Sequence, residues 1–129
     1  SIRSCVNEIY SNLTYSEFDM LCITESWLDS SVVNSEFIPR NYNVFRSDRD
    51  FSRSGRQRGG GVVLATNGKF SVKSLDLSLF TDFCLCDIVG CKLCYEQISL
   101  YVSVVYIPPN ISVADLYPLL NVSKTTPLS

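Results

Sequence analysis

A short apolar run, Met20-Leu21-Cys22-Ile23, ends at Thr24 and a carboxylate, Glu25, with the only tryptophan of the chain, Trp27, two residues on. Such a run suits a fully covered strand. A carboxylate at its end projects past the sheet, where open α/β sheets hold ligands. The plain alternative is a glutamate that caps a loop. The chain contains no histidine. That excludes a Ser-His-Asp triad, a Cys-His pair, an H-E-x-x-H zinc site and any imidazole base from these residues. Hydrolytic chemistry here falls to carboxylates, amides, tyrosine or a hard metal ion.

Two further groups invite chemical readings. Six of the eleven basic residues lie between Arg40 and Arg58, namely Arg40, Arg46, Arg49, Arg53, Arg56 and Arg58. Arginine forks suit sequence-neutral contacts to phosphate, whereas a charged loop partly neutralised by Asp48 and Asp50 is equally well read as a solvated surface. The cysteines Cys84, Cys86, Cys91 and Cys94 have a C-x-C-x₄-C-x₂-C spacing that fits common zinc sites poorly, so they read as small buried hydrophobes. The other two are Cys5 and Cys22. With no secretory leader or bilayer-spanning run in the sequence, a reduced intracellular setting, nuclear or cytoplasmic, is expected. The sequons at Asn12, Asn110 and Asn121 then carry no meaning.

The elements that must position these residues follow from periodicity. The 129 residues suffice for one core, and 46% hydrophobic with 19% charged residues is a globular balance. A net charge of −2 means that no global positive field attracts nucleic acid. Ile2, Val6, Ile9 and Leu13 mark one helix face, ending near Asn12–Ser16. "SWLDSSVVNSEFIP" reads as irregular with at most a turn of helix, "YNVFR" as a short strand, and residues 47–60 as an exposed loop. "GVVLAT" and "KFSVKSL" flank Asn67-Gly68, which predicts a two-residue hairpin. Strands over Cys84–Cys94 and Ile98–Tyr106, joined near Glu96, come next. Pro108-Pro109 stops the second, and Ser112 caps a short helix carrying Val113, Leu116, Leu119 and Leu120. The order implies an α/β layered domain over residues 1–121 with an unstructured tail, 122–129.

Three stretches, "TESWL" (Thr24 to Leu28), "RGGGVVLA" (Arg58 to Ala65) and "VYIPPN" (Val105 to Asn110), stand in an order and spacing that resemble the endonuclease/exonuclease/phosphatase family. The likeness is to the apurinic-type endonuclease domain of jockey-like non-LTR retrotransposons, where "YNVFRSDRD" before a glycine triplet is also typical. It runs from Phe18 to about Leu120. The resemblance implies a partial two-layer β-sandwich flanked by helices. It also implies Mg²⁺-dependent phosphodiester cleavage that nicks target DNA for retrotransposition, with a reverse transcriptase fused in the parent protein.

By the same resemblance Glu25 is the Mg²⁺ ligand, in keeping with the preference of that ion for one or two carboxylates plus waters and phosphate. Tyr106 is the catalytic tyrosine whose hydroxyl approaches the scissile phosphate, and the two are expected at strand ends on one face of the sheet. Trp27 is expected to pack beneath the turn. Arg46, Arg49, Arg53, Arg56, Arg58 and Asn110 are candidate contacts to the DNA backbone. The family often has asparagine three residues after this tyrosine; Pro109 stands there, as is common in the retrotransposon branch. The glycines read as a sharp turn into a strand without a Cβ clash, not as a phosphate cradle, since no GK[ST] follows.

The family's upstream asparagine, its G-D-x-N motif and its closing S-D-H motif are not found, so the chain reads as an interior piece that lacks the water-activating groups. The alternatives are a relative acting on phospholipid or RNA, an inactive remnant, and a small cysteine-based binding module.

Overall fold

Val62-Val63-Leu64-Ala65 is apolar without alternation, the mark of a strand covered on both faces, and all four residues are buried. The computed structural model describes residues 2–16, 18–48, 60–77 and 86–109. A 3-10 turn, Ile2–Ser4, leads into α1 (Val6–Ser16). The strands are β1 (Met20–Thr24), β2 (Tyr42–Ser47), β3 (Val62–Asn67), β4 (Ser71–Ser74), β5 (Asp87–Tyr95) and β6 (Ile98–Tyr106). A second 3-10 turn, Asn34–Glu36, interrupts the segment between β1 and β2. They form a mixed α/β fold of two antiparallel three-stranded sheets, ordered β1-β3-β2 and β4-β5-β6, with one α-helix among the described residues.

Alternation along β3 makes two cores. Val63 and Ala65 face α1 and the segment before β2, packing with Leu13, Leu28, Phe37 and Ile38. Val62 and Leu64 face the second sheet and meet Cys91, Leu93 and Val104. The layers are therefore helix, first sheet and second sheet, with β3 at the centre. The pairing Cys22↔Leu64↔Phe45 holds β1 and β2 to β3 and sets which side chains enter each core.

One expected element is absent in the form predicted. Asn67-Gly68 does not close a hairpin: β3 pairs with β1 and β2, whereas β4 pairs with β5. The dipeptide is a corner by which the chain leaves one sheet for the other. Gly68 is not left-handed, as a type I′ hairpin would require. Its amide donates to the Asn41 carbonyl at 2.7 Å, and a Cβ there would lie 2.6 Å from the same oxygen. Close backbone approach is what the glycine permits. The β5–β6 hairpin does form, with Tyr95↔Ile98 flanking the turn and Glu96 at φ 56°. Its first strand is described from Asp87. Residues 78–85, the helix expected after Ser112 and the tail 122–129 lie outside the described residues.

Candidate functional site

Strand β1 ends because the backbone reverses hand. Glu25 has φ 52° and Trp27 φ 59°, conformations that cost an L-residue about 1–2 kcal/mol each. The cost is offset by hydrogen bonds to a second left-handed stretch across the sheet, Gly60 (φ 73°) and Gly61 (φ 86°). The Ser26 amide donates to the Gly61 carbonyl (3.1 Å) and the Trp27 amide to the Gly60 carbonyl (2.9 Å), while the Ser26 carbonyl accepts from the Ile2 amide (3.2 Å). Ser26 is fully buried, and its hydroxyl has no hydrogen-bond partner among the described residues.

The glycine turn is itself anchored. The Gly61 amide donates to Asp87 Oδ2 at 3.0 Å, and Asp87 is buried at the start of β5. Asp87 stands opposite Tyr106 in the β5–β6 register. The Tyr106 hydroxyl then donates to Glu25 Oε1 at 2.6 Å. A ring of contacts thus runs from Asp87 through Gly61 to the Glu25 turn, across to Tyr106 and back through the strand pair. Its exposed member is the Glu25 carboxylate. Glycine at 60 and 61 agrees with the turn role expected from sequence. No sequence signal pointed to Asp87, because an aspartate opening a strand looks like any solvated strand end.

The other candidate residues fare differently. Arg46, a candidate phosphate contact, is engaged within the chain. It lies on the helix-side face of β2, and all five of its N–H groups are used: Nε and Nη2 on Asp48 (3.1 and 2.7 Å), Nη1 on the Val32 carbonyl and Asn34 Oδ1 (2.7 and 3.0 Å), and Nη2 also on the Asp29 carbonyl (2.7 Å). It braces the segment between β1 and β2 instead. Trp27 does not pack beneath the turn; it is 41% exposed, between buried Ser26 and Leu28. Arg49, Arg53, Arg56, Arg58, Gly59 and Asn110 lie outside the described residues.

Cys91 faces the core between the sheets, and Cys94, beside Ser99, faces the opposite side of β5. The two cannot ligate one ion without breaking the strand. Burial pushes the Cys91 thiol above its usual range, and the nearby Cys22 pushes it further; burial raises Cys22 as well. Neither is poised as a thiolate at neutral pH.

For a hard cation the described donors are few but of the right kind. Glu25 offers an exposed carboxylate, one oxygen of which accepts from Tyr106, and no cluster of three or more His, Cys, Asp or Glu residues gathers among the described residues. One carboxylate with room for waters and a substrate oxygen is a fit for Mg²⁺, not for an ion enclosed by protein. Among the described residues no helix is long and apolar enough to cross a membrane.

The fold and the site define a mixed α/β protein of two packed antiparallel sheets, with a carboxylate–tyrosine pair where β1 and β6 end. No family model matches the chain, and neither a curated protein nor a solved structure matches it.

Proposed function

We propose that this chain is part of a Mg²⁺-dependent phosphodiesterase of the endonuclease/exonuclease/phosphatase type that nicks DNA, as the retrotransposon endonucleases it resembles do. The observation that carries the reading is the 2.6 Å contact between the Tyr106 hydroxyl and Glu25, two residues 81 positions apart that the resemblance alone had paired. Convergence of a hard-ion ligand and a phosphate-facing hydroxyl on one spot is what in-line phosphoryl chemistry requires. Glu25 is the residue that would hold Mg²⁺, which when bound polarises a phosphoryl oxygen and stabilises the departing one. Tyr106 orients the carboxylate in the free chain, and with Glu25 given to the ion its one hydroxyl proton would be released to the substrate phosphate. The left-handed turn, clamped by Gly60 and Gly61, keeps Glu25 on a rigid support.

What the chain lacks is equally specific. It has no histidine to act as general base, and such groups contribute about a hundred- to ten-thousand-fold. The expected behaviour is ion binding without turnover. Mn²⁺, followed by electron paramagnetic resonance as loss of the free-ion signal, should bind the chain in competition with Mg²⁺ and fail to bind Glu25→Ala. Equal binding by Glu25→Ala would sink the site. In a supercoiled-plasmid assay the chain should leave the plasmid intact. Mg²⁺-dependent nicking abolished in Glu25→Ala would instead make it a complete catalyst.

A further inference from the structure

Trp27 is the one tryptophan of the chain, and two features of its position argue against finding a large apolar residue there. Its backbone is left-handed, φ 59°, where bulky side chains are outliers and glycine, asparagine or aspartate is the ordinary choice. The residue is 41% exposed, although Ser26 and Leu28 on either side are buried. The hydrogen bond that its amide donates to the Gly60 carbonyl, 2.9 Å, holds the residue in that conformation. An indole that neither fills a core nor suits its backbone is a local conflict of the sort found where a residue serves a ligand.

The neighbourhood narrows the ligand. Thr24 and Glu25 are polar and exposed, and Ser26 and Leu28 are buried, so along residues 24–30 Trp27 is the one exposed apolar side chain. A single flat aromatic surface matches a single flat aromatic partner. Residues two apart in a chain have Cα atoms at most about 7 Å apart, so Trp27 lies within one nucleotide's reach of the Glu25–Tyr106 pair.

We propose that Trp27 is a stacking platform for one unpaired nucleobase of a strand whose phosphate lies at Glu25 and Tyr106. The assignment rests on the phosphodiesterase reading. It adds the point that the substrate is gripped by a base as well as by its backbone, at a nucleotide drawn out of its stack. Stacking of this kind accepts any base and adds roughly 5- to 150-fold in affinity per base.

Because Trp27 is the sole tryptophan, emission excited beyond the absorption of the seven tyrosines reports on it alone. The probes are a fluorescein-labelled single-stranded oligothymidylate and an abasic strand of the same length and charge, both with Mg²⁺, with binding followed independently by anisotropy. Oligothymidylate should quench the tryptophan emission at the concentrations where anisotropy rises, whereas the abasic strand should bind more weakly and leave the emission unchanged. Trp27→Gly, which relieves the left-handed strain and keeps the fold by circular dichroism, should lose about 5- to 150-fold in oligothymidylate affinity and nothing for the abasic strand. Trp27→Phe should recover most of the loss. Oligothymidylate binding with unchanged emission, or an equal loss for both strands in Trp27→Gly, would overturn the stacking role and leave the phosphodiesterase reading standing. Absence of binding to either strand would overturn both. Emission that changes on dilution of the protein alone would assign the ring to contact between copies of the chain and overturn the proposal.

Discussion

At the residue scale the site is decided by a few hydrogen bonds whose loss is unequal. Asp87 accepts from the Gly61 amide in a buried setting, so removing the acceptor leaves an amide without a partner. Asp87→Ala is expected to cost about 1–3 kcal/mol, whereas Asp87→Asn keeps an oxygen for the amide and should cost less than half as much, measured by urea denaturation. Arg46 makes a complementary case. With all five donors used inside the chain, Arg46→Ala should lower stability by about 2–3 kcal/mol. The triple change of Arg53, Arg56 and Arg58 to alanine should leave stability alone but flatten the salt dependence of DNA binding, by about 0.9 in log–log slope for each phosphate that is no longer neutralised. Equal stability losses in both variants would mean that the arginines of this region share one structural role.

At the scale of elements, the Asn67-Gly68 corner and the β6 edge carry the consequences. Gly68→Ala would drive a Cβ into the Asn41 carbonyl at 2.6 Å, backbone against backbone, so the corner must open. A loss above about 1 kcal/mol is expected, seen as a lower urea midpoint with the m-value unchanged. A hairpin glycine would instead have been lost through its φ. Among the described residues β6 pairs only with β5, and it presents Ile98, Leu100, Tyr101 and Val105 to solvent on a nine-residue strand without charge or proline. Such an edge templates further strands. Replacing both Ile98 and Leu100 with lysine should suppress aggregation in light scattering and leave the melting temperature within a few degrees of its starting value, since both side chains are already exposed. A chain that stays monomeric without these changes would show that the edge is otherwise protected.

At the scale of the whole molecule, the two sheets are held by one core in which Cys91 is fully buried beside Cys22. Its thiol is raised in the folded state, first by burial and then by Cys22. The unfolded chain therefore ionises this group before the folded one does. As pH rises past about 9.0, the ordinary value for the thiol, the unfolded state binds fewer protons than the folded state and stability falls. Below that pH the contribution is constant. Thermal unfolding between pH 7 and 10.5 should show a flat melting temperature followed by a decline, and Cys91→Ala should shallow the decline. A melting temperature that rises through this range would mean that the thiolate is the favoured folded form.

Much of this was legible in the residues because it depends on near neighbours. Helix α1 follows from the spacing of Val6, Ile9 and Leu13, although Ile2 of the same series sits in the 3-10 turn before it; the β5–β6 pair follows from two β-rich segments around Glu96. The fully covered strand expected at Met20–Ile23 is instead β3, while β1 is a half-exposed edge strand. Glycine at 60 and 61 announced a backbone that a Cβ would not allow. The local sequence was silent wherever the decisive partner lay far along the chain. Asn67-Gly68 has hairpin chemistry, yet the choice between β4 pairing with β3 and pairing with β5 is a competition for strand edges, settled by which apolar faces are covered. Arg46 looks like its neighbours in a basic run until Asp29, Val32 and Asn34 surround it. Asp87 gains its role only because the β5 register sets it opposite Tyr106 and beneath Gly61. Glu25 and Tyr106 are ordinary residue types at two strand ends. Their meeting at 2.6 Å exists only once both sheets have packed, because hydrogen bonds are short-ranged and the chain between these residues must first be folded to bring them within reach.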